Sequence, residues 1–136
     1  MKRPLGITFV AVLEFAAAAI AGVVGYSLFF PGTRLDRMWD FNVPAQAAFA
    51  ANAHSAATIL LLLGTLATAA GVGLLTRQVW AWLLSLAIFS VNALGVVASV
   101  LVTRDWARSL AGILIDALFL YLLLRARSRA FFLERR

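Results

Sequence analysis

Four long apolar runs, each closed by a short polar break, set the rhythm of this chain. The first extends from about Leu5 to Phe30 and stops at Pro31-Gly32. A second, from about Ala53 to Leu75, stops at Thr76-Arg77-Gln78. The third covers about Val79 to Val102 and ends at Thr103-Arg104-Asp105, and the fourth runs from Trp106 to Leu124. A membrane helix needs about 20 mostly apolar residues to cross about 30 Å of hydrocarbon. Soluble helices of this length would show a continuous polar face, and these runs do not. The pattern predicts an all-α integral membrane protein, a single domain over residues 1–136 folded as a bundle of four transmembrane helices.

Between the first two runs lies the only sizeable loop, residues 31–52. Leu35, Met38 and Trp39 recur there at helical spacing, with Arg34, Asp36, Arg37 and Asp40 on other faces, which predicts a short helix lying in the membrane interface. Asn42-Val43-Pro44 reads as a helix restart, since proline is favoured in the first turn. Span two is therefore expected to start near Pro44 and to project beyond the bilayer. The tail, residues 125–136, alternates Arg with Phe131, Phe132 and Leu133, the pattern of a basic amphipathic segment on the inner surface.

Composition agrees with lipid as the solvent. Hydrophobic residues make up 63% of the 136 positions and charged residues only 13%, an excess that one small soluble core could not hide. The absence of cysteine excludes disulfides, thiolate metal sites and thiol chemistry. The opening Met1-Lys2-Arg3 with Ala16 to Ala19 imitates a signal peptide, but the apolar run continues past any such cleavage site and contains Glu14. A retained helix is expected.

The net charge of +6 comes from residues gathered at the ends of the apolar runs, so anionic headgroups are expected as partners and nucleic acid is not. Lys2, Arg3, Arg77, Arg125, Arg127, Arg129, Arg135 and Arg136 fall on one side, and Arg34, Arg37, Arg104 and Arg108 on the other. The positive-inside rule then puts both termini in the cytoplasm. Trp80, Trp82 and Trp106 suit interfacial belts.

Three polar residues interrupt the spans. Glu14, Asn92 and Asp116 each lie near the middle of a run, so at about 1.5 Å per residue all three reach the bilayer midplane. A charged carboxylate there costs about 2.5–3.5 kcal/mol on insertion scales, and such residues face the bundle interior. The small residues point the same way. Glu14, Ala18, Ala21 and Gly25 form one stripe, Ser109, Gly112 and Asp116 another, and Ser85, Asn92 and Ser99 repeat every seventh position. Glu14, Asn92 and Asp116 are therefore expected to meet, either as a proton or cation site or as polar glue between helices.

His54, near the outer end of span two, is a candidate ligand residue or an interfacial hydrogen-bonding group. The Ala-rich run from Ala45 to Ala57, with Gly64, Thr65, Thr68 and Gly71, reads as close helix packing. No HExxH, Walker loop, GxSxG or Ser/His/Asp constellation is present, so catalysis, a cofactor and a metal are not expected.

Two stretches, Gly73-Leu74-Leu75-Thr76-Arg77-Gln78-Val79-Trp80-Ala81-Trp82 and Leu120-Tyr121-Leu122-Leu123-Leu124-Arg125 with Arg129-Ala130-Phe131-Phe132, resemble a group of uncharacterised small bacterial membrane proteins. Arg3-Pro4-Leu5-Gly6-Ile7-Thr8 fits the same group. The resemblance implies a four-span topology in a bacterial inner membrane and carries no activity. In layout, Glu14 in the first of four spans is similar to the essential glutamate of small multidrug resistance transporters. The chain departs from that family in its longer first outer loop, in span three and in the additional Asp116. The expected function is a structural or accessory subunit, associating with itself or with other membrane subunits. The alternative is a proton- or cation-coupled transporter or channel working as a homo-oligomer.

Overall fold

The computed structural model describes residues 3–41, 43–104 and 106–133. Lys2, Asn42, Asp105, Arg135 and Arg136 lie outside the described residues. The fold is all-helical, with no strand among the described residues. Its elements are α1 (Leu5–Phe29), a 3-10 helix (Arg34–Phe41), α2 (Val43–Ala50), α3 (Ala53–Leu75), α4 (Val79–Thr103), α5 (Trp106–Leu124) and α6 (Ala126–Leu133). Among the described residues, α1, α3 and the Val79–Ala98 part of α4 are long and apolar enough to cross a membrane. A fourth candidate is a bent pair, Ser109–Leu124 followed by Ala126–Leu133 at 51°.

Helix edges follow the polar breaks. Pro31-Gly32 ends α1, with Gly32 at a φ of 90° that a side chain disfavours. α3 closes with Arg77 in the left-handed region, where the Gln78 N–H reaches the Gly73 carbonyl at 2.8 Å and the Arg77 N–H reaches that of Leu74 at 3.4 Å. That pairing is a Schellman closure, which satisfies carbonyls the helix leaves open. α4 stops on a second left-handed arginine, Arg104, whose N–H bonds the Val100 carbonyl at 2.8 Å.

The helix expected to run unbroken from Pro44 is interrupted. It divides at Ala51-Asn52, and Asn52 opens α3 by accepting the first intrahelical bond from the Ala56 N–H at 2.9 Å. Asparagine is among the best residues for that position, which is why the break falls there.

The chain divides into two compact units, one of residues 1–13 with 69–136 and the other of residues 14–68, so the division falls inside α1 and inside α3. In the unit of residues 14–68, Leu28, Trp39 and Ala57 form a buried cluster with Val24, Phe29, Met38, Phe49 and Leu60 around it. The 3-10 helix thus turns Met38 and Trp39 onto protein, while Arg34, Arg37 and Asp40 stay exposed. Small residues bring α1 and α3 together in this unit: a Cβ on Gly64 would lie 3.2 Å from the Ala18 carbonyl oxygen, and one on Gly25 would lie 2.9 Å from Leu61.

In the other unit the buried cluster is Ile7, Val10, Ala11, Leu74, Trp82, Phe119, Leu123, Phe131 and Phe132. α6 therefore does not lay Phe131 and Phe132 into lipid. Both rings are buried, Phe132 stacked on Trp82 with centroids 6.1 Å apart. Trp82, expected in an interfacial belt, is likewise only 7% exposed, whereas Trp80 and Trp106 are exposed as a belt requires. The physical reason is polar as well as apolar. The Trp82 indole N–H donates to the Leu123 carbonyl at 3.0 Å, a group that the end of α5 leaves without a helical partner.

Candidate functional site

The mid-span polar site forms where α4 and α5 pack antiparallel. Phe89 meets Phe119 with ring centroids 4.8 Å apart, Asn92 meets Asp116, and Val96 meets the space in front of Gly112 at 3.6 Å. Each step along one helix is matched by a step back along the other, so a single register places all three pairs. Gly112 sits one turn before Asp116 and lets α4 come close enough for a short side chain to be reached. Asn92 Nδ2 donates to both carboxylate oxygens of Asp116, at 3.1 Å to Oδ1 and 2.8 Å to Oδ2.

The two partners differ in exposure. Asp116 is buried, 3% exposed, while Asn92 lies open at the surface of the chain. The carboxylate therefore has its two oxygens occupied by one amide. Chemically, the arrangement can hold a proton or a small cation at Asp116, or can tie α4 to α5 through a side-chain bond.

Of the three residues expected to meet, the structure brings together Asn92 and Asp116. Glu14 is buried, 3% exposed, and belongs to the unit of residues 14–68. Ser85, one heptad before Asn92, is fully buried, and its hydroxyl has no hydrogen-bond partner among the described residues. His54 is exposed and meets the Phe29 ring edge-on, centroids 5.4 Å apart. Among the described residues no three His, Asp or Glu side chains gather as a metal site.

A second polar cluster was not foreseen from the sequence. At one end of the unit of residues 1–13 and 69–136, four side chains donate to carbonyls in the last turns of helices. Arg3 Nη2 reaches Leu75 at 2.6 Å, Trp82 Nε1 reaches Leu123, Ser128 Oγ reaches Leu122 at 2.6 Å, and Arg77 Nε reaches Phe131. The Arg77 guanidinium also lies over the Phe131 ring, 5.1 Å from its centroid. These groups satisfy open carbonyls, and the two arginines place positive charge at the negative ends of α3 and α6. The signal in the sequence was a serine and two phenylalanines inside a basic tail, where a purely surface segment would need neither. Arg125, Arg127 and Arg129 remain exposed.

Comparison with protein families, with curated proteins and with solved structures finds no match.

Proposed function

We propose that this chain is a small polytopic protein of a bacterial inner membrane, with four crossings and both termini in the cytoplasm, acting as a structural or accessory subunit. It works by associating with itself or with other membrane subunits. One observation carries this reading: four side chains drawn from distant parts of the chain are spent on the chain's own helix ends. Arg3, Arg77, Trp82 and Ser128 all bond to terminal carbonyls, and the first three come from two of the stretches singled out in the sequence, Arg3 to Thr8 and Gly73 to Trp82. Thr58, Thr65 and Thr68 return their hydroxyls to the preceding turn of α3. What faces outward on α1, α3 and α4 is mostly apolar, a surface for lipid and for neighbouring helices.

The test is to tag the C-terminus, extract the protein gently from its own membranes, and weigh the particle. The expected result is an assembly, either of copies of the chain or with stoichiometric foreign subunits. A bare monomer would defeat the reading.

A second reading is favoured by the buried Asp116 and its amide. A proton- or cation-coupled carrier would use Asp116 with Asn92, and Glu14 as a further acid, as intramembrane acids in carriers do. Reconstituted vesicles would then show a proton or cation flux.

A further inference from the structure

Asn92 is the one member of the mid-span pair that faces out, and nothing derived so far uses its outer side. It is the fourteenth residue of the 25-residue α4, close to the helix midpoint. Its nitrogen is turned to Asp116, which turns the amide oxygen away from the carboxylate. The nitrogen also carries two hydrogens, and a bifurcated bond to a carboxylate occupies one. An outward amide at this depth therefore offers an acceptor and a donor where hydrocarbon supplies neither.

The surroundings of Asn92 are open to a helix. Val91, Gly95 and Ala98 lie on the same side at helical spacing, and all are exposed. A Cβ built on Gly95 would meet nothing within 4 Å, so the backbone there is bare on its outer side. Small residues beside a polar one are what closely packed membrane helices use.

We propose that a second copy of this chain docks on the face of α4 formed by Val91, Asn92, Gly95 and Ala98, pairing the two Asn92 amides across a two-fold axis. The choice of occupant comes from the amide itself. A two-fold contact sets a residue against its own copy near the axis. An amide, donor and acceptor at once, is complementary to itself, as a carboxylate or a guanidinium is not. Each Asn92 then joins its own Asp116 to the Asn92 of the partner, so the polar chain is complete only in the dimer. The proposal rests on the association reading and names the partner and the surface.

The experiment uses the full chain in lipid nanodiscs and in detergent, with mass measured across a dilution series. The absence of cysteine allows single reporters to be placed cleanly. Ala98→Cys is expected to cross-link to itself on mild oxidation, and Leu63→Cys, exposed on α3, is not. Gly95→Leu should weaken the dimer at least tenfold while leaving helix content unchanged, because a Cβ there meets nothing of its own chain within 4 Å. Asn92→Val should weaken it about tenfold, the scale of one to two interhelical hydrogen bonds. A dimer that tolerates both substitutions and cross-links elsewhere overturns the proposed face but leaves self-association standing. A chain that weighs in only with foreign subunits overturns the second copy and keeps the accessory reading. A bare monomer at every concentration overturns both.

Discussion

Arg77 holds a backbone conformation that suits glycine, at a φ of 61°, and its side chain gives a reason for its presence there. An L-residue in the left-handed region costs about 1–2 kcal/mol. Against that, the guanidinium bonds the Phe131 carbonyl and covers the Phe131 ring, which ties the end of α3 to α6. The two contributions separate by substitution. Arg77→Ala loses the side chain and keeps the strained φ, whereas Arg77→Gly loses the same contacts and relieves it. Both variants should be less stable than the parent, with Arg77→Ala the worse by about 1 kcal/mol. Thermal unfolding in detergent, followed by helix content, measures the difference. Equal stability of the two variants would show that the turn carries no conformational cost.

At the scale of elements, the helices long and apolar enough to cross a membrane were legible because length and apolarity are written directly in the residues. The ends of α1, α3, α4 and α5 fall within two residues of the polar breaks at Pro31, Thr76, Arg104 and Arg125. The Asn92–Asp116 contact was legible too, since the small and polar stripes select the faces that pack. Other features depend on tertiary partners and left little trace. The break at Ala51-Asn52 lies in an Ala-rich run whose propensity favours continuing the helix. The inward turn of α6 follows from carbonyls that Trp82, Arg77 and Ser128 satisfy from distant positions. The division of the chain inside α1 and α3 has no local signal at all. Packing between α1 and α3 within residues 14–68 yields its own prediction. Gly64→Leu would drive a side chain into the Ala18 carbonyl and should cost about 1–3 kcal/mol, the usual range for overpacking. Gly22→Ala, with nothing within 4 Å, should be neutral or slightly stabilising. Folded yield and melting temperature of the two variants, side by side, test whether the small residues are needed for contact or only tolerated.

For the molecule as a whole, charge and the buried acids Glu14 and Asp116 decide between the readings. With Phe131 and Phe132 buried, the exposed charge on and beside α6, among the described residues, is that of Arg125, Arg127 and Arg129. Neutralising these three arginines to Gln should remove a preference for anionic over zwitterionic lipid, and added salt should do the same to the parent protein. Native mass spectrometry of retained lipid would register both effects. The acids bear on function more directly. A carboxylate in hydrocarbon costs about 2.5–3.5 kcal/mol on insertion scales, so replacing Glu14 or Asp116 by its amide removes a burden on insertion. Asn at 116 still offers the Asn92 amide an oxygen. Glu14→Gln and Asp116→Asn should therefore enter the membrane and assemble as well as the parent. An accessory subunit loses nothing essential by the change, because its work is contact. A carrier loses the group whose protonation drives its cycle, so flux in vesicles would vanish in the same variants that assemble normally. Measuring assembly mass and proton flux on one set of preparations separates the two cases. Intact assembly without flux in parent and variants alike supports the accessory role, while flux in the parent that either amide abolishes would transfer the function to the acids.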